Sequence, residues 1–229
     1  MSYERQIGPI PDWIKELRGG PGYTNPFQIA PNAPTIFGNE HFMGDWQGEA
    51  LVLLQDFAPA NEVRSLKRRG FSDEDVYRHN DGDSRYQTGK RSNQNLATAI
   101  FGDRSFIDGR CASNCGIVCG NVCFFLKYAM DKSAPLTGFQ AGSPAFDGSM
   151  RVLKHVIESM PQLRIILLCG GAAQKAQTKL GEFAPQIEIV PAPHPRTGGS
   201  PHTSLGRVCD DRLSKFGVGQ WQEKRCPLA

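Results

Sequence analysis

Four short apolar runs constrain this chain more than any other feature. They are Ala50–Leu54, Ile117–Gly120, Leu163–Cys169 and Ile187–Val190, each too short for a buried helix, with Arg164 and Glu188 the charges that interrupt the last two. The first reads as a strand buried on both faces, the second as another buried strand, and the others as a third and a fourth strand. Amphipathic or capped stretches separate them, and strand, helix, strand, helix, strand is the pattern of a parallel sheet covered on both faces. The reading is therefore α/β: a single domain, residues 49–229, with a central parallel sheet of about four strands, helices on both faces and right-handed crossovers. At 229 residues the chain has enough length to bury that core.

The intervening segments carry the helix signals. Ser92-Asn93-Gln94-Asn95 offers N-cap chemistry for a helix from Leu96 to Phe101. Asp147-Gly148-Ser149 is read as the cap of a helix whose Met150, Leu153, Val156, Ile157 and Met160 share a face, ended by Pro161. Gly170-Gly171-Ala172-Ala173 opens a helix to about Leu180, Pro191 to Ser200 reads as a rigid loop, and Thr203 to Phe216 as a last helix. Residues 61–94 are charged and poorly periodic, a long loop of the kind that is usually functional. The first 48 residues, rich in Pro, Gly and Asn, have one short amphipathic stretch, Asp12 to Arg18, and read as an arm packed on the core.

Composition narrows the partners. No apolar run approaches the roughly 20 residues needed to span a bilayer, and the first residues lack a charged-then-apolar leader, so the expectation is a cytoplasmic protein with no membrane partner. Seven cysteines, an odd number, argue for reduced thiols. Cys111, Cys115, Cys119 and Cys123 recur every fourth residue, but the last two lie in apolar sequence and the spacing matches no ligand pattern of zinc or iron–sulfur sites. Buried thiols are the expectation, with no metal and no cofactor. A net charge of +3 is only a faint pull toward an anionic partner. Lys67, Arg68 and Arg69 with Arg85, Lys90 and Arg91 form a basic region, yet five Asp and Glu residues are interleaved with them, so a phosphate-contacting surface and a solvated loop of mixed charge both remain open.

In open α/β sheets ligands collect outside the carboxyl ends of the strands. The residues leaving those ends here are Gln55 and Asp56 after the first run, Asn121 after the second and His194, between two prolines, after the fourth. Each has a plainer alternative. Asp56 also suits a helix N-cap, Asn121 a turn, His194 an exposed loop, and Gly170-Gly171 close helix–strand packing. Their order along the chain is what distinguishes them.

That order resembles the uracil-DNA glycosylase superfamily, whose motifs are an apolar strand ending in Gln-Asp or a related polar pair, an Asn after a strand, and His-Pro-Ser with a small loop. Leu53-Leu54-Gln55-Asp56, Asn121-Val122-Cys123-Phe124 and His194-Pro195-Arg196 match in turn, and Gln162 to Ala173 looks like that fold's strand–Gly–helix joint. The resemblance covers about Glu49 to Phe216. It implies a monomeric DNA repair glycosylase that flips uracil out of the duplex and hydrolyses its N-glycosidic bond with water. In this reading Asp56, His194 and Asn121 are catalytic, and Gln55, Phe57, Ala58, Tyr86 and Asn121 hold the base, with Phe57 or Tyr86 stacking on it. Arg196, Thr197, Lys67, Arg68 and Arg69 meet the DNA.

The chain also departs from the family. Phe57-Ala58 replaces the Pro-Tyr of uracil-specific members, which implies a looser pocket open to other modified bases. Setting Asp56-Phe57-Ala58-Pro59-Ala60 against the Gly-Leu-Ala-Pro-Ala motif of another branch moves the water-handling role off Asp56. Arg196-Thr197-Gly198-Gly199 stands where many members carry Ser and a bulky wedge. A non-catalytic nucleic-acid or nucleotide-binding protein on the same fold is the alternative, since fold does not fix function, and an iron–sulfur protein the third.

Overall fold

The computed structural model describes residues 7–32, 42–55, 60–73, 76, 95–96, 99, 116–128, 138–195, 207–208 and 211–212. Seven strands lie in this set: β1 (Tyr23–Thr24), β2 (Met43–Gly44), β3 (Ala50–Leu54), β4 (Ile117–Asn121), β5 (Leu126–Lys127), β6 (Ile165–Cys169) and β7 (Glu188–Ala192). The helices are α1 (Asp12–Glu16), α2 (Ala60–Arg68), α3 (Pro144–Glu158), α4 (Gly171–Gln174) and α5 (Gln177–Phe183), with a 3-10 turn at Pro26–Gln28. Five strands form one sheet in the order β2-β4-β3-β6-β7; β1 and β5 pair separately.

The four expected strands are the parallel part of that sheet, β4-β3-β6-β7. Their alternate residues enter two separate cores. Leu51, Leu53, Val118, Ile166 and Leu168 pack with Val63 and Leu66 of α2, Val152 and Val156 of α3 and Leu180 of α5. Ala50, Val52, Ile117, Ile165 and Leu167 pack on the other face with Leu96, Ala99 and Val208, and the described residues 95–96, 99, 207–208 and 211–212 are helical. Both faces of β3, β4 and β6 are thus covered, which is why their residues are apolar in sequence without alternation, whereas β7, at the end of the sheet, keeps Glu188 half-buried and Pro191 exposed.

The chain runs from β3 outward to β4, then back across β3 to β6 and on to β7. The connection from β3 to β4 uses both faces: α2 packs on the same face as α3, α4 and α5, and Leu96 and Ala99, before β4, pack on the opposite one. The reversal makes the C-terminal edge between β3 and β6 the switch point of the sheet.

Four local features differ from expectation. A helix, α2, occupies the start of the charged 61–94 stretch; its Ala60, Val63 and Leu66 form a narrow buried stripe hidden among polar neighbours. The helix read as capped by Asp147-Gly148-Ser149 starts one turn earlier, because the Ser143 side chain accepts from the Phe146 backbone N–H and Pro144 is pre-set for the first helical position. The single helix expected from Gly170 to Leu180 is two short ones, α4 and α5. Finally, β7 continues through Pro191 to Ala192, which an edge strand tolerates because one row of its N–H groups has no ladder partner.

Residues before Glu49 join the same core. Ile14, Tyr23, Phe27, Phe42 and Trp46 are buried in the larger cluster, and β2 adds an antiparallel edge to the main sheet through Met43↔Cys119 and Gly44↔Val118. Gly44 makes that pairing possible: a Cβ there would stand 2.0 Å from the Ile117 carbonyl oxygen. Among the described residues no helix is long and apolar enough to cross a membrane.

Candidate functional site

Register places the strand ends in one row. Leu54 pairs with Asn121, Leu53 with Leu168 and Cys169 with Ala192, so the carboxyl ends of β4, β3, β6 and β7 finish level. Asn121 is the last residue of β4, Gln55 follows β3, Gly170 follows β6 and His194 lies two residues past β7. Three inter-strand spacings separate the outer two, about 14 Å.

His194 closes part of that gap. A Cβ built on Gly170 would stand 2.9 Å from the His194 Cβ and 3.1 Å from its Cδ2, so the imidazole packs directly on the glycine, one strand nearer to Asn121. The remaining interval is about two spacings, roughly 10 Å, the scale of one small heterocycle with hydrogen-bonding side chains on either side. Gly170 permits the contact twice over. It has no side chain, and its φ of 93° and ψ of 160° fall in a region essentially closed to other residues. The Gly170 N–H donates to the Ala192 carbonyl at 2.8 Å and the Gln174 amide to the same oxygen at 3.1 Å, which pins the end of β7 to α4. On the far side of the turn, the Asn95 amide donates to the Pro195 carbonyl at 2.9 Å.

Asn121 is held differently. It is 5% exposed, and beyond it the ladder continues, with Val122 N–H donating to Leu54 O at 2.8 Å and Cys123 N–H to Gln55 O at 3.0 Å. The Phe124 N–H donates to the buried Ser149 hydroxyl, which itself donates to the Ala145 carbonyl, tying this loop to α3. The backbone so fixed brings a carboxamide, a group that can both donate and accept, to this end of the sheet. Gln55, half-buried, directly follows the central strand β3, between the two.

The expected residues thus fall in two groups. Asn121, Gln55 and His194 come to one sheet edge. Asp56, Phe57, Ala58, Tyr86, Arg196 and Thr197 lie outside the described residues, as do Cys111 and Cys115. Arg68 and Arg69 are exposed at the end of α2, with the Arg69 guanidinium 5.4 Å from the centre of the Phe71 ring. Lys67 is engaged within the protein, donating to Asp73 at 2.5 Å and to the Phe71 carbonyl at 3.1 Å. Partial burial pushes the Asp73 carboxyl up, but Lys67 and the Asn32 backbone N–H outweigh it and hold the group below its ordinary value. Cys119 and Cys123 project into the two different cores, on opposite faces of the sheet. Among the described residues no group of three His, Cys, Asp or Glu side chains is placed to hold a metal ion.

Three positioning residues were not legible in the sequence. Gly170 looks like ordinary helix–strand packing, Asn95 like a helix cap and Ser149 like another; their partners lie 24 to 100 residues away and follow no local pattern. An open pocket of about 490 Å³ between α1 and the start of α3 is lined by Trp13, Arg18 and Arg151 among others, and by none of the residues leaving the strand ends. The chain matches no protein-family model, and it matches no curated protein.

Proposed function

We propose that the protein is a DNA glycosylase that hydrolyses the N-glycosidic bond of uracil, on a fold of the uracil-DNA glycosylase type. The observation that carries this reading is the placement, at the level carboxyl ends of neighbouring strands, of a buried Asn121 on one side of the switch point and a His194 imidazole seated on Gly170 on the other. Bond cleavage builds positive charge on the sugar and negative charge on the departing base, so a positioned donor near the base lowers the barrier. His194 donates to the base oxygen that gains charge. Asn121 accepts from the ring N–H of uracil and donates to the neighbouring carbonyl, a pattern that cytosine presents in reverse. Asp56 orients the attacking water and stabilises the sugar cation, and Phe57 or Tyr86 stacks on the base. The base leaves the helix first, at a cost of a few kcal/mol.

The pocket reads uracil and admits other modified bases, in keeping with Phe57-Ala58 in place of Pro-Tyr. The partner is uracil-containing DNA, bound by a monomer that needs no cofactor. Purified protein incubated with single- and double-stranded oligonucleotides carrying one uracil is expected to leave alkali-labile sites. Asn121→Ala and His194→Ala should each slow base release at least about tenfold, as loss of a positioned donor does. Binding without base release on either substrate would instead identify a non-catalytic nucleic-acid-binding protein.

A further inference from the structure

Among the described residues Tyr128 is the one large apolar side chain that stands exposed, at 47%. Its position is nonetheless fixed. The backbone N–H donates to Gly22 O at 2.7 Å, directly after β5 pairs with β1. The hydroxyl is hydrogen-bonded to the buried Thr24 side chain and accepts from Arg64 Nη2 at 2.5 Å, while the Arg64 guanidinium carbon lies 4.8 Å from the ring centre. An exposed ring free to rotate would lose entropy on meeting a ligand; this one is already held.

The surroundings are cationic. Arg64 and Arg68 are one turn apart on α2 and so share a face. The two elements involved also issue from the candidate site: α2 begins five residues after Gln55, and Tyr128 lies seven residues after Asn121. Seven residues reach at most about 25 Å, the length of about seven stacked nucleotides. An aromatic face beside one held guanidinium, Arg64, with the exposed Arg68 a turn further along the same helix, suits the two parts of a nucleotide, a base that stacks and a phosphate that attracts cations.

We propose that Tyr128 and Arg64 form a platform for a nucleotide flanking the reacting one, with Tyr128 stacked on its base and Arg64 and Arg68 meeting its phosphates. This rests on the reading of the substrate as DNA, but not on the removal of uracil. The test uses the full chain and a uracil-free single-stranded oligonucleotide, followed by fluorescence anisotropy over a salt series, with base release from a uracil oligonucleotide measured separately. Tyr128→Leu is expected to weaken binding roughly 5- to 100-fold, the effect of losing one stacked base. Tyr128→Phe, which keeps the ring, should stay within about threefold of wild type. Arg64→Gln should lower the slope of log K against log salt by about 0.7. The Phe variant and the salt slope keep the test valid if the Leu variant folds poorly. Wild-type affinity in a folded Tyr128→Leu protein overturns the platform, as does absence of oligonucleotide binding by the wild type. Tyr128-dependent binding without base release supports the platform and defeats the glycosylase; base release with binding indifferent to Tyr128 does the reverse.

Discussion

The two ends of the row formed by the strand termini are built by different means. Asn121 ends a strand that is paired on both sides, is nearly inaccessible, and is followed by a ladder that keeps pairing with β3. His194 comes after an edge strand, is only half-buried, and owes its place to contacts from elsewhere: Gly170 beneath it and Asn95 on the next residue's carbonyl. The Asn121 side is part of the core, so disturbing it costs stability. The His194 side is a clasp on the core, so disturbing it costs orientation. A site that must read one ligand edge and also let the ligand enter has use for both.

The largest expected effect is at Gly170, where the clasp meets the core. Gly170→Ala forces a side chain into a glycine-only backbone conformation and against His194, at about 3 kcal/mol. Thermal unfolding should show Tm falling by about 6–12 °C, with base release lost as well. An unchanged Tm would mean that His194 does not depend on this contact. Next is Ser149→Ala, on the Asn121 side. It leaves the Phe124 N–H buried without its acceptor, costing about 2 kcal/mol, and denaturant titration should register that loss with a smaller change in rate. The smallest effect on stability belongs to Asn95→Ala. Loss of one part-buried hydrogen bond removes about 1 kcal/mol or less, while a loosened His194 slows base release about fivefold. If Asn95→Ala proved more destabilising than Ser149→Ala, the contrast between core and clasp would be reversed.

Much of the sheet was legible because its residues obey a local rule. A strand buried on both faces must be apolar throughout, and Ala50 to Leu54 and Ile165 to Cys169 satisfy that rule in five consecutive residues. α2 leaves little trace in the sequence because only three of its nine residues are buried, so its stripe is thin against a charged background. β2 leaves none because two residues, Met43 and Gly44, carry no periodicity; they pair only because Gly44 lets the chain lie against Ile117. Of the site, the types and chain order of Gln55, Asn121 and His194 could be read directly. The residues that hold them could not, since Gly170, Ser149 and Asn95 each serve a partner remote in sequence.

Local hydrophobicity and chain order were enough to give an α/β chain with four strands, three of them buried, and to name the polar residues that leave their ends. Only the tertiary structure decided the order β4-β3-β6-β7, the seating of His194 on Gly170 and the meeting of Arg64 with Tyr128. Strand neighbours and side-chain contacts are chosen by how whole elements pack. That choice depends on every residue of the two faces at once and leaves no mark on any short stretch of chain.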